Sequence, residues 1–313
     1  MSKAFTRISR RRALQGATAG LVTLGLLLWW LLPLGEEPPS GTITFSTGTR
    51  AGVYQEYGEL LREELAKDMP QLKVRLTTSA GSQENVERVA NGDADFTIAA
   101  ADAVDTFRIG VQLVVPPDSD IRSVADLKSK RVAIGLPNSG VRLIATRVLQ
   151  AAGIDPEKDI TPRSDGIDTG PKRLGRELDA FFWSGGVPTG GLEDIAETSA
   201  FRFVPIDADL VAKVHAQGDA AHFYRATNMA ESAYPRIQDG HTVPTIAVSN
   251  LLITRKDMDP RLTEWLTRTV IKSRDGIGAH VHSAQLVDLR TAIYTDPLPL
   301  HEGAKRYYRS VKP

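Results

Sequence analysis

Residues 42–66, TITFSTGTRAGVYQEYGELLREELA, constrain the fold more than any other stretch. An apolar, β-branched run (Ile43, Thr44, Phe45) breaks into small residues, Ser46-Thr47-Gly48-Thr49-Arg50-Ala51-Gly52. From Val53 the apolar positions Tyr57, Leu60, Leu61 and Leu65 recur at helical steps. The stretch therefore reads as strand, glycine loop, helix. Such a junction leaves the first N–H groups of the helix free to meet a ligand over the loop.

The device recurs. Residues 76–82 (LTTSAGS) lead into helix-like 85–89, and 132–140 (VAIGLPNSG) lead into 141–152. A fourth strand-like run, 179–186 (DAFFWSGG), ends in glycines. Four strand ends rich in Ser, Thr, Asn and Gly suggest one polar, concave site beyond the carboxyl ends of the strands.

Strand-like runs are 43–46, 72–77, 95–100, 111–115, 131–135, 179–183, 202–206 and 245–254. Helical patterns are 53–67, 82–91, 123–128, 140–152, 189–198, 207–217 and 260–274. This alternation predicts α/β architecture with parallel sheet and covering helices. The apolar stretches 110–117 and 243–254 read as crossings between two lobes. The expected division is 42–113 with 246–313 for lobe 1, and 114–245 for lobe 2, closing on a ligand by hinge motion.

The 313 residues suffice for two modest lobes. There is no cysteine, which excludes disulfides, thiolate metal sites and a cysteine nucleophile. Formal charge is zero, but residues 1–35 hold five of the 38 basic residues and no acid, leaving 33 basic against 38 acidic ones, or −5. No nucleic-acid partner is expected of such a body. Residues 1–12 form a basic region, 13–35 an apolar helix and 36–41 a linker. SRRRAL at 9–14 resembles a twin-arginine export signal, with Ala13 and Gln15 in place of Phe and Lys. The apolar run approaches the ~20 residues needed to span a bilayer, and no Ala-x-Ala site follows it. An uncleaved anchor with the body outside the cytoplasm is the expectation; a removed signal peptide is the alternative.

The segments FSTGTRAGVY, SAGSQENVERVANGDADFTIAAAD, IRSVADLKSKRVAIGLPNSGVRLIATRVLQAAGI, DAFFWSGGVPTGG, PTIAVSNLLIT and LHEGAKRYYR resemble the TAXI family of solute receptors, which serve tripartite (TRAP-type) transporters. The resemblance covers most of residues 42–310. It implies a two-lobe type II periplasmic-binding-protein fold, each lobe a mostly parallel sheet with helices on both faces. It also implies a small, acidic organic solute resembling glutamate or 2-oxoglutarate, and membrane permease subunits as partners; no cofactor, catalytic residue or metal is expected. A monomeric body is expected. One departure stands out: Ala101-Asp102-Ala103-Val104 runs through 106–110 directly into Val111, so a crossover segment of the family is missing.

The expected ligand-binding residues are Thr47, Gly48, Thr49 and Tyr54 on the first wall, and Ser79, Gly81, Ser82 and Asn85 on the second. Asn138, Ser139 and Gly140 repeat the pattern in the inserted lobe, and Trp183, Ser184 and Gly185 close it. Ser82 also reads as a helix N-cap. Arg50 and Arg142 stay open between anion partner and solvated arginine. Trp183 is the candidate to pack on the ligand, with one N–H to donate, and Phe182 is assigned to the core. No Gly-x-Ser-x-Gly, Gly-x-x-x-x-Gly-Lys or His-Glu-x-x-His motif occurs. Three readings follow: a receptor feeding a transporter, a sensor for a signalling partner, and an enzyme on the same scaffold.

Overall fold

The computed structural model describes residues 37–100, 109–296 and 298–312. The basic region, the apolar helix and most of the shortened segment lie outside the described residues. Among the described residues no helix is long and apolar enough to cross a membrane. Pro39–Pro313 form one compact unit, within which the strands make two sheets.

The first sheet has the order β11-β3-β1-β2. Strands β1 (Gly41–Ser46), β2 (Leu72–Thr77) and β3 (Phe96–Ala100) pair in parallel, and β11 (Asn250–Thr254) returns antiparallel to β3. Their side chains alternate as the pleat requires. Ile43, Phe45, Phe96 and Ile98 face one side, where Phe45 and Phe96 stack with ring centroids 4.3 Å apart. Helices α1 (Val53–Asp68) and α6 (Pro260–Gly278) cover that side through Leu61, Leu65, Leu266 and Val270. Leu61 and Leu65 are fully buried, and each contributes about 1.5–3 kcal/mol by leaving water. Helix α1 lies so close to β1 that a Cβ on Gly58 would meet Thr47 Cγ2 at 2.7 Å. Helix α2 (Ser82–Asn91) packs Val86 on Ala99, Leu251 and Ile253 at the other face.

The second sheet has the order β6-β5-β7-β4-β10-β9, with β8 also on β4. Strands β5 (Arg131–Ala133), β6 (Thr161–Arg163) and β7 (Ala180–Gly185) are parallel. All other pairings are antiparallel, involving β4 (Ile109–Val115), β8 (Arg202–Val204), β9 (Arg225–Met229) and β10 (Val243–Val248). The expectation of a mostly parallel sheet therefore fails for this lobe. Strand β4 carries the chain into this lobe and β10 carries it back, so the two run antiparallel side by side, and β7 and β8 also pair antiparallel with β4.

Along β7, Ala180 and Phe182 face a core shared with α3 (Gly140–Ala151) and α5 (Ala208–His215), so Phe182 is a core residue as expected. Phe181 and Trp183 face the opposite cluster, with Phe203 and Tyr234. Arg131 and Asp179 tie the starts of β5 and β7 together, with Nη2 donating to Oδ1 at 2.6 Å and Nε to Oδ2 at 3.1 Å.

Both β4 and β10 belong to the second sheet, so the expected boundaries at 113/114 and 245/246 fall inside strands. The chain passes from β10 to β11, and from one sheet to the other, across the single residue Ser249. The run 245–254, read as one strand, is two.

Candidate functional site

The two sheets point their strand ends at one cleft. Gly48 and Thr49 come from the loop after β1, Ala80, Gly81 and Ser82 from the loop after β2, and Ala100 from the end of β3. From the other lobe come Gly140, Val141 and Ile144 at the start of α3, and Trp183, Ser184 and Gly185 at the end of β7.

The helix starts are set by local sequence. Gly81 is the N-cap of α2, at φ +133°, a conformation that strongly favours glycine. Ser139 caps α3 by accepting the Arg142 N–H at 3.1 Å. The two caps then meet across the cleft. A Cβ on Gly81 would lie 3.6 Å from Gly140 N, and the Glu84 N–H donates to Asn138 O at 3.1 Å. A second bridge runs from the Ala51 N–H to Asp168 Oδ1 at 3.1 Å. The walls leave only about 40 Å³ for water centres, room for a few ordered waters at ~10–15 Å³ each. The two walls of the cleft are in direct contact.

Nine of the fourteen expected residues line it: Gly48, Thr49, Tyr54, Gly81, Ser82, Gly140, Trp183, Ser184 and Gly185. Tyr54 reaches in from α1; its hydroxyl lies 3.1 Å from Ser82 Oγ and donates to Asn250 Oδ1. Ser82 Oγ accepts the Ala100 N–H at 3.0 Å, which joins α2 to the end of β3. Thr49 Oγ1 and Ser184 Oγ are buried with no hydrogen-bond partner among the described residues.

The other five are absent from the lining. Asn85 is fully buried; its Oδ1 accepts from Ser46 and Ser79, and its Nδ2 donates to Thr47 O and Ile98 O. That uses the whole capacity of the amide. Ser79 is held in the same network, 2.9 Å from Thr47 O. Thr47 is itself fully buried, its hydroxyl donating to Gln55 Oε1. These three support the first wall from behind. Asn138 is exposed in the left-handed region, φ 59°, as a turn residue. Ser139 Oγ is spent on capping and on Leu136 O at 2.7 Å.

Arg142 bonds Ser164 Oγ at 2.8 Å and is not in the lining, and Arg50 is exposed. Trp183 lines the cleft, but its indole N–H is already donated to Thr189 Oγ1 at 3.2 Å. Thr189 in turn donates its backbone N–H to the Tyr234 hydroxyl at 2.7 Å, so the wall at Trp183 is braced. Burial pushes the Glu56 carboxyl on α1 upward; nearby His280 pulls it down, and Glu193 and Glu59 push it up again.

Gly52, Val53, Ala80, Val141 and Ile144 also line the cleft and were not foreseen, nor was Ala100. Ala80 and Val141 adjoin expected residues, and Ala100 ends an expected strand; those neighbours were the available signal. Gln112, which faces Trp183 in the β4–β7 register, is fully buried with both amide atoms unpartnered among the described residues. No pattern in the sequence marked it.

The chain is similar to several solved structures. One is a putative L-cystine ABC transporter protein from Listeria monocytogenes, at 16% identity over 78% of this chain and 97% of that one, TM-score 0.48. Another is the alkanesulfonate-binding protein from Xanthomonas axonopodis pv. citri bound to MOPS, at 16% identity over 88% and 92%, TM-score 0.47. A third is an ancestral arginine-binding protein bound to arginine, at 15% identity over 77% and 98%, TM-score 0.47. Residues 107–311, well over half of the chain, match the family model described as NMT1-like, and the protein belongs to the NMT1-like family.

Proposed function

We propose that the protein is an extracytoplasmic solute receptor of the TAXI type. In this reading it captures a small carboxylate, resembling glutamate or 2-oxoglutarate, between its lobes and hands it to a TRAP-type permease. An uncleaved N-terminal helix holds it at the membrane. The observation that carries the reading is the meeting of the α2 and α3 N-termini across a glycine-lined cleft.

Helix N-termini favour negative charge by up to ~2 kcal/mol each in partly buried geometry. The lining side chains are hydroxyls, small aliphatics and one indole, with no charged group among them. A carboxylate would therefore be held by backbone N–H groups and by the free hydroxyls of Thr49 and Ser184. An indole beside small aliphatic residues suits a short carbon skeleton. This inventory offers means to bind and orient rather than an acid–base pair, so the protein is read as a receptor and not an enzyme.

Native mass spectrometry of the purified full chain, asking which small molecule comes with it, tests the reading. A carboxylic acid carried at one per chain, and rebound in calorimetry, is the expected result. A neutral or cationic solute would refute the anion assignment, and turnover of the solute would refute the receptor role.

A further inference from the structure

A second chamber lies in the first lobe, on the far side of β11 and β3 from α2. It leaves about 480 Å³ for water centres, some twelve times the room in the cleft. Its walls come from β3 (Phe96), β11 (Leu252, Thr254), α6 (Leu266, Val270) and the C-terminal segment (Val287, Leu300) that leads into α7 (Glu302–Val311). Protein interiors rarely contain voids much larger than a water. An apolar cavity of only ~150 Å³ already takes up benzene.

The polar atoms of the lining are nearly all spent. Thr254 donates to Asp95 O, Thr263 to Asp259 O, Thr267 to Thr263 O, Thr295 to Leu298 O, and Tyr308 to Ala292 O. What remains is cationic. Lys256 is exposed and makes no ion pair among the described residues, while Lys305 has only a loose pair, 3.6 Å to Glu302. Arg309 also stands 3.8 Å from Glu302, which leaves that carboxylate shared between two cations. His301, on the same wall, accepts the Gly303 N–H at Nδ1, so its hydrogen sits on Nε2, which is buried without a partner among the described residues.

We propose that this chamber is a ligand site separate from the cleft, taking a single-chain amphiphile with a carboxylate head. The acyl tail fills the space between β11, α6 and the C-terminal segment. The head pairs with Lys256 and Lys305 at the rim. Apolar volume fixes the tail, and the excess of ammonium over carboxylate fixes the sign of the head. The assignment is independent of the solute held between the lobes.

Calorimetric titration of the full chain with dodecanoate, below its micellar concentration, tests this. One molecule per chain is expected to bind, and dodecyltrimethylammonium is expected to bind at least tenfold more weakly. Lys256→Glu should weaken dodecanoate at least tenfold. Thr267→Trp and Ala292→Phe, two independent fillings of the chamber, should each do the same in folded protein. No uptake by the wild-type chain would overturn the proposal. So would wild-type affinity in either folded filling variant, or equal affinity for the cationic amphiphile. Tighter binding of monomeric lysophosphatidylglycerol would overturn the carboxylate head in favour of a lipid phosphate.

Discussion

A Cβ placed on Gly140 would come within 2.9 Å of Ser82 Oγ. The first turn of α3 and the first turn of α2 thus touch where only a hydrogen atom fits. Closure of the cleft depends on that clearance. Gly140→Val should hold the lobes apart while leaving each sheet intact. Calorimetry with the co-purified solute should show affinity at least tenfold lower, at unchanged circular dichroism. Wild-type affinity would mean that closure does not run through this contact.

Trp183 is 7% exposed and packs in a core cluster as well as lining the cleft. Its replacement therefore acts twice. Trp183→Ala should weaken the solute at least tenfold, equivalent to ~1.4 kcal/mol. It should also cost about 3–5 kcal/mol of stability, as large-to-small core changes do. Urea unfolding alongside calorimetry separates the two. A stability loss with unchanged affinity would remove Trp183 from the binding surface.

Asn85 is expected to matter for stability and to affect binding only through the wall it braces. Asn85→Ala strands buried partners on β1, on β3 and in the loop after β2. Each stranded group costs about 1–3 kcal/mol. The urea midpoint should fall markedly, whereas Asn138→Gly, at a left-handed position, should leave it unchanged or raise it. Equal effects from the two changes would contradict the network.

The Asp179 carboxyl is held below its usual range, first by the hydrogen bond from the Arg131 side chain and then by the Arg131 backbone N–H, against the opposing cost of burial. A depressed carboxylate contributes stability that is present above its unfolded value of about 3.9 and is lost as pH falls through the folded one. Urea midpoints measured from pH 7 downward should decline across that acid window. Asp179→Asn should lower the midpoint at pH 7 and flatten the decline. A variant that keeps the full acid slope would place the titration elsewhere.

N-terminal sequencing of protein extracted from membranes should find the chain uncut near residue 35. A mature terminus between residues 34 and 41 would show that the apolar run is a removed signal peptide.

Much of this architecture was legible because helices and central strands carry strong periodic signals. Leu61 and Leu65 announce α1, and alternation marks β7. The four glycine-rich strand ends announced the cleft because each must expose backbone at a sheet edge. Three things hid. The antiparallel half of the second sheet hid because β4, β8 and β10 read as strands while a periodic pattern carries no strand direction, and β9 is mostly exposed and lacks alternation. Asn85 and Ser79 have the chemistry of ligand contacts, but the burial of their side chains is decided by the close approach of α2 to β1 and β3. The second chamber arises from segments more than 150 residues apart, Phe96 on β3 and the residues around Leu300, and no local pattern encodes such a meeting.

Ser249 gives the link between the sheets almost no slack. Neighbouring Cα atoms are 3.8 Å apart, so β10 and β11 cannot slide past one another by more than a fraction of a residue. What remains at that link is torsion about the bonds of one residue. Atoms near it hardly move, and displacement grows with distance from it. Asn250, which receives the Tyr54 hydroxyl, sits next to that pivot. In the proposed receptor, a solute touching Tyr54 would therefore act on a short lever arm, and the distant rims of the lobes would sweep the longest path.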